Sequence, residues 1–190
     1  MTLKRTVAPS GDVVSLSDAK AHLRVDHSDD DDLISSLASA AAGAVEEMAG
    51  RPLLTQTWKL TLAEGSGRIR LPKTPVQSVT EIAYYDRDNA SQTATLSDFH
   101  VISDNDMGFI EPKQSASWPE TYSRPDALSI TWTAGYGAAA DVPADLVHAI
   151  KMMLGHLYEH REAVVVGQTV TDVPLAVEHL VGLHRRGWVA

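Results

Sequence analysis

Cysteine is absent from the 190 residues. Disulfides, thiolate metal sites and a thiol nucleophile are thereby excluded, and the composition fits assembly in a reducing cytosol. There is no apolar run of about 18 residues, the length that marks a membrane helix. The opening Met1-Thr-Leu-Lys-Arg5 carries two cations, but no apolar stretch follows, so no secretory signal is expected. The G-x-S-x-G elbow of hydrolases is missing. Strands do not alternate with helices in the βαβ manner, which removes Rossmann and P-loop architectures. Positive charge is also scarce: 16 Lys and Arg stand against 25 Asp and Glu, a net charge of −9. Sequence-independent DNA binding rests on cations that neutralise phosphates, so this chain is a poor duplex binder. An acidic wall does suit a passage that DNA must cross without sticking.

What is present suffices for a core. Apolar residues make up 44% of the chain, and the length suits one ordinary domain or a small domain carrying an insertion. The stretch 142–162 reads as one long amphipathic helix. Pro143 sits where the first turn tolerates a missing N–H, and Asp145 opposes the positive helix end. Leu146, Ile150, Met153, Leu154 and Leu157 form one apolar stripe, and Arg161 adds a cation near the C-terminus. Upstream, residues 1–14 read as extended, and 15–24 as a short helix capped by Ser15 or Ser17. The run Asp29 to Asp32 lacks the alternating ligands, mid-loop Gly and closing Glu of a calcium loop. It reads instead as carboxylates capping the N-terminus of a helix that continues to about Ala49. Ile34, Leu37, Ala41, Ala44, Val45 and Met48 are its expected buried face, and Gly50, Arg51 and Pro52 end it.

Between Leu53 and about Tyr136 the period shifts from 3.6 to 2. Strands are expected around Trp58 to Leu62, Ile69 to Leu71, Val79 to Tyr85, Phe99 to Ile102, Phe109 to Ile110 and Leu128 to Thr133. Gly, Pro and Asp-Asn breakers separate them, implying a mainly antiparallel sheet or small barrel. The tract 163–172 is β-branched yet lies between helices. It reads either as an arm that adds to a neighbour's sheet edge or as an ordinary buried loop. A last helix is expected from Leu175 to about Arg186, with Ala176, Leu180 and Leu183 on one side. The predicted fold is therefore α+β: N- and C-terminal α-helices forming a bundle around a central, mainly antiparallel β module. Residues 1–51 and 138–190 make the helical domain, and 52–137 the inserted β domain.

One motif has residue types suited to chemistry. His156-Leu-Tyr-Glu159-His160 spells H-x-x-E-H, which places two His at i, i+4 on one helix face, with Glu159 as a general base for a zinc hydrolase. Catalysis also needs a third protein ligand and an open position. Only 30 residues follow His160, and Glu178 and His179 are the only reasonable candidates there. The competing reading is a packing and assembly helix whose His residues are solvated or at an interface. The four Trp and five Tyr are not interleaved with Lys and Arg, which argues against a platform for stacking bases. No catalytic, cofactor or metal residues are assigned.

Several stretches resemble the head–tail connector (adaptor) proteins of long-tailed bacteriophages and phage-like gene transfer particles. They are Leu16-Ser-Asp-Ala-Lys-Ala-His-Leu-Arg-Val25, Asp31-Asp-Leu-Ile34, Ala41 to Pro52, Gln56-Thr-Trp58, Leu71-Pro-Lys-Thr-Pro-Val76, Trp118-Pro119, Thr133-Ala-Gly-Tyr-Gly137, Val142-Pro143, Ala149-Ile150 and His156 to Glu162. Their order and spacing cover nearly the whole chain; the extreme C-terminus, Arg185-Arg-Gly-Trp-Val-Ala190, departs from the pattern. The resemblance implies a non-enzymatic virion part without a cofactor, assembled in the host bacterial cytoplasm. It implies a ring of about twelve copies at the neck, between the portal protein and the stopper or tail components. DNA passes through the ring, and no membrane is involved. The surfaces expected to meet neighbouring copies or the portal include Tyr158, Arg161, Val164, Val165, Val166, Arg185, Arg186 and Trp188.

Overall fold

The computed structural model describes residues 1–104, 107–160 and 175–185. The chain divides into two compact units, Met1–Ser10 with Leu54–Tyr136, and Gly11–Leu53 with Gly137–Ala190.

The first unit holds all the strands, with one short 3-10 turn at Leu96–Asp98. A five-stranded sheet has the order β1 (Thr2–Val7), β2 (Gln56–Leu62), β8 (Leu128–Ala134), β4 (Val76–Tyr85) and β5 (Ser91–Thr93). A three-stranded sheet has the order β3 (Ile69–Arg70), β7 (Gly108–Pro112) and β6 (Phe99–Ser103). Every neighbouring pair is antiparallel. The expected mainly antiparallel module is thus two sheets. Its first strand lies at the N-terminus of the chain, so residues 1–10 group with the sheets and not with the helices.

Cross-strand rows explain the register. Leu60 on β2 faces Ile130 on β8, which faces Ile82 on β4; Leu3 on β1 extends that row. Trp58, Trp132 and Val79 form the next row, and Leu62, Leu128 and Tyr84 the one beyond. Such directly opposed apolar pairs are the unit of sheet stabilisation, and a one-residue slip would turn all of them to the wrong face. Leu60, Ile82, Leu128, Ile130 and Trp132 are fully buried, together with Leu71 and Ile110. The buried Trp132 indole N–H is satisfied by the Lys73 carbonyl at 3.1 Å. Gly135 follows β8 with φ +127°, where a Cβ would run into the Leu54 carbonyl. That gives one glycine of the Thr-Ala-Gly-Tyr-Gly stretch a steric reason.

The β4–β5 turn is pinned by Asp86. Its carboxylate accepts from the Asp88 N–H at 3.0 Å, the Ala90 N–H at 2.9 Å and the Gln92 amide at 2.9 Å. These bonds, the Gln92 amide foremost, hold the carboxyl below its ordinary range. Arg124 lies over the Tyr85 ring, makes a two-pronged bond to Asp126 at 2.6 and 2.8 Å, and reaches the Asn89 side chain at 3.0 Å.

The second unit is helical. In α1 (Leu16–Leu23) the Ser15 hydroxyl accepts the Asp18 N–H at 3.1 Å, as expected of a cap. In α2 (Asp31–Ala49) the buried stripe is Ile34, Ala38, Ala41, Val45 and Ala49, at spacings of three and four. Leu37, Ala44 and Met48, expected inside, are only half-buried, because the stripe runs through Ala38 and Ala49 instead. The end of α2 is a Schellman turn: Gly50 at φ +68° donates to Glu47, and Arg51 donates to Glu46. One expectation fails at the other end. Asp30 occupies the cap position, yet its side chain makes no capping bond to the helix. Carboxylates do gather there, but side chains of other helices engage them.

In α3 (Ala144–Glu159), with Pro143 at its cap position, Leu146, Ala149, Ile150, Met153 and Leu154 are buried and Leu157 is half-buried. The final helix, α4 (Leu175–Gly182), stops at Gly182 and buries Val177 and Val181, not Ala176, Leu180 and Leu183. Leu183 is 64% exposed. The helix is only two turns long and apolar on several sides, so spacing alone does not single out its buried face.

Two outcomes test this architecture. Ile130→Ala, at the centre of a three-strand row, should destabilise the sheet unit by about 2–5 kcal/mol in denaturant unfolding. Asp86→Ala should lower stability at neutral pH. A depressed carboxyl contributes above its unfolded pKa and loses that contribution as pH falls through the folded value. The gap between wild type and variant should therefore close in acid, below the ordinary carboxylate range, as measured by melting temperature against pH.

Candidate assembly surface

The ends of α3 and α4 carry the residues that the sequence pointed to, and polar contacts fix both ends. At the last turn of α3, the Tyr158 hydroxyl donates to the Asp30 carboxylate at 2.6 Å. Beside it, Lys20 of α1 pairs with Asp31 at 2.6 Å. The acidic run thus joins three helices: α1 through Lys20, α2 through its own start, and α3 through Tyr158. Tyr158 is half-buried, with its hydroxyl engaged in this contact.

The exit of α4 is held in the same manner. Arg51 is 3% exposed, and its Nε donates to the His184 carbonyl at 2.6 Å. A cation over the last carbonyls of a helix is favoured both as a hydrogen-bond donor and by the helix dipole. The His184 imidazole lies 3.3 Å from the Asp145 carboxylate at the start of α3. Glu46 accepts the Leu53 N–H at 3.0 Å, which fixes the chain where it leaves α2. Arg185 follows, exposed, with its N–H on the Gly182 carbonyl at 3.2 Å.

Of the expected surface residues, Tyr158 and Arg185 are therefore placed, at the ends of different helices. Arg161, Val164, Val165, Val166, Arg186 and Trp188 lie outside the described residues. Sequence reasoning missed Lys20 and His184, and it named Asp30, Arg51 and Asp145 only as local helix-end signals, without their partners. The acidic run and the Gly50-Arg51-Pro52 stop were visible signals, but their partners lie far along the chain.

The H-x-x-E-H residues sit on the last turn of α3. The His156 and His160 rings stack with centroids 4.6 Å apart, and His160 Nδ1 is 3.1 Å from the His156 carbonyl. Glu159 and His160 are exposed. Among the described residues no group of three or more His, Asp or Glu side chains is arranged to hold a metal ion. Glu178 and His179, the candidate third ligands, line a groove on α4 with Met48, Leu175, Leu183 and Arg185.

With this geometry in place, comparison with known proteins identifies the class. Residues 13–109 match the family described as phage gp6-like head-tail connector protein, and the chain belongs to that family. The fold is shared with particle components. One is a chain in the neck of an empty gene transfer agent particle computed with C6 symmetry (TM-score 0.82, 23% identity, 100% of this chain and 98% of that one). Another, with the same score, identity and coverage, comes from the virion of a native gene transfer agent particle. A third is a chain in the neck of the native particle computed with C12 symmetry (TM-score 0.78, 21% identity, the same coverage). No match is found among curated proteins. The chain is thus a structural head–tail connector of mixed α+β fold.

The Tyr158 contact can be tested directly. Tyr158→Phe removes a hydroxyl bonded to a charged acceptor and should destabilise the helical unit by about 1.5–3 kcal/mol, measured by chemical denaturation. Lys20→Ala, at an ion pair that keeps partial access to solvent, should cost at most about 1 kcal/mol.

Proposed function

We propose that about twelve copies of this chain close into a ring at the neck of a phage or phage-like particle, between the portal protein and the stopper or tail components. One observation carries the reading: the chain aligns over its whole length with a chain of a gene transfer agent neck computed with C12 symmetry. The copies assemble in the host bacterial cytoplasm, and the finished ring surrounds the passage that DNA crosses. The net charge of −9 supports a wall that repels DNA in transit. The protein works through surfaces and performs no chemistry.

A ring that closes by rotation needs two different patches on each copy, meeting head to tail. The helical unit, Gly11–Leu53 with Gly137–Ala190, is the connector domain in this reading, and the sheet unit, Met1–Ser10 with Leu54–Tyr136, is a second body. The long helices and the β-branched tract with Val164, Val165 and Val166 supply the ring contacts, together with Tyr158 and Arg161. The last helix and tail face the portal, with Arg185, Arg186 and Trp188 as anchors, since Arg and Trp are enriched where interfaces hold most of their energy.

Two experiments separate these assignments. Deleting residues 164–171 should leave a folded monomer that no longer assembles on a purified portal, read by mass photometry; normal rings would refute the arm. Charge reversal of Arg185 and Arg186 to Glu should weaken portal binding roughly tenfold or more, about 1.4 kcal/mol or above. Unchanged affinity would remove the tail from the portal interface.

A further inference from the structure

The three-stranded sheet ends on β6, and the backbone pattern shows which groups of that strand face outward. Asp98 accepts the Lys113 N–H at 2.8 Å, and Asp104 donates to the Met107 carbonyl at 2.9 Å. The even positions of β6 therefore bond back toward β7. By the alternation of an antiparallel ladder, Val101 and Ser103 turn their N–H and C=O groups away from it. The Ser103 hydroxyl donates to the Val76 carbonyl at 2.8 Å, which anchors that end of the strand. Side chains repeat the pattern. In the cross-strand row Ile69, Ile110 and Val101, the first two are buried and Val101 is 44% exposed. Ile102, on the opposite face, is 42% exposed. Edge strands are commonly guarded by Lys, Pro or a bulge, and Phe99-His-Val-Ile-Ser103 has none of these.

The other long edge of this unit is β1, at the end of the five-stranded sheet. The remaining edge strands, β3 and β5, span two and three residues. On β1, Lys4 stands directly opposite Lys59 of β2. Like charges so placed repel each other, and neither lysine forms an ion pair among the described residues. The edge strand thus carries a cation that its own unit does not neutralise.

We propose that β6 of one copy takes β1 of the next copy as an added strand. Charge selects this partner. Carboxylates bracket β6: Asp98 precedes it, and Asp104, which also accepts the Met107 N–H, follows it. They supply the negative charge that the Lys4 and Lys59 pair lacks. Two copies of β6 paired antiparallel about Val101 would instead set Asp98 opposite Asp104, carboxylate against carboxylate. In strand addition the main-chain bonds give affinity and the flanking side chains give specificity, here Val101 and Ile102. The two edges differ, so the contact is head to tail and repeats from copy to copy until rotation closes it. This deepens the ring reading and rests on it, adding a contact made by the sheet unit.

The absence of cysteine permits a clean test. Full-length chains carrying Thr6→Cys and full-length chains carrying His100→Cys are mixed on purified portal, rings are counted by mass photometry, and a short bismaleimide is added. Bridged dimers should form in the mixture roughly fivefold above either variant alone. Bridging within the His100→Cys chains alone would mean that β6 pairs with itself, and bridging of His100→Cys to Val165→Cys in its place would give the edge to another segment; either overturns the proposal. Rings without bridging overturn it and leave the ring reading standing, whereas absence of rings overturns both. Hydrogen exchange gives a second readout. On ring formation the Val101 and Ser103 amides should slow about tenfold, and those of His100 and Ile102, already bonded to β7, should hardly change. Unchanged exchange at Val101 contradicts the proposal. Lys4→Glu relieves the repulsion with Lys59, so it should raise the melting temperature while lowering ring yield about fivefold, and adding Asp98→Lys should restore the rings. Failure of that rescue would remove the charge pairing on which the choice of partner stands.

Discussion

The helical unit depends on one contact, the packing of α2 on α3. The two helices bring unequal faces to it. The buried face of α2 is rich in small residues, Ala38, Ala41 and Ala49 with Ile34 and Val45, whereas that of α3 is mostly bulky, Leu146, Ile150, Met153 and Leu154 with Ala149. A small-residue face lets a helix with bulky side chains come close, and it fills space at the density of a protein interior. Both remaining helices rest on this pair: α1 touches α2 and α3, and so does α4. Loss of that contact would leave each of the short helices without a base.

Polar contacts then fix what hydrophobic packing leaves free. Burial is not directional, so it sets which faces meet but not where a helix ends or where the chain goes next. Tyr158 on Asp30 and Lys20 on Asp31 set the register of three helices at one place, and Arg51 on His184 sets the exit of α4 at another. For a connector this matters more than raw stability. A ring subunit must present two patches at a constant angle, since small errors per subunit accumulate around the circle. Surfaces mounted on helices whose ends are tied by charge-assisted bonds meet that demand better than surfaces on untied loops.

Where local spacing carries the information, the fold was legible in the sequence. The stripe from Leu146 to Leu154 marked α3, Gly50 followed by Arg51 and Pro52 marked the end of α2, and the alternation around Ile130 and Trp132 marked β8. The pairing of Thr2–Val7 with β2 was not legible, because its partner lies more than fifty residues away and its side chains are mostly polar and exposed. The face of α4 was misread because Leu175, Ala176, Val177, Leu180, Val181 and Leu183 surround so short a helix that several stripes fit. At the assembly surface, the residue types were visible but their partners were not. Asp30 reads as a cap until Tyr158, 128 positions later, takes its carboxylate. The H-x-x-E-H spelling shows the opposite failure: a motif complete in letters whose two imidazoles stack on each other at the end of a helix.

We propose that this chain couples head to tail as a structural part. Electron microscopy of particles produced without it tests that claim most directly. The account predicts DNA-filled heads and separate tails, with attachment restored by supplying the chain in trans. Particles that lack the protein and still carry firmly attached tails would contradict it.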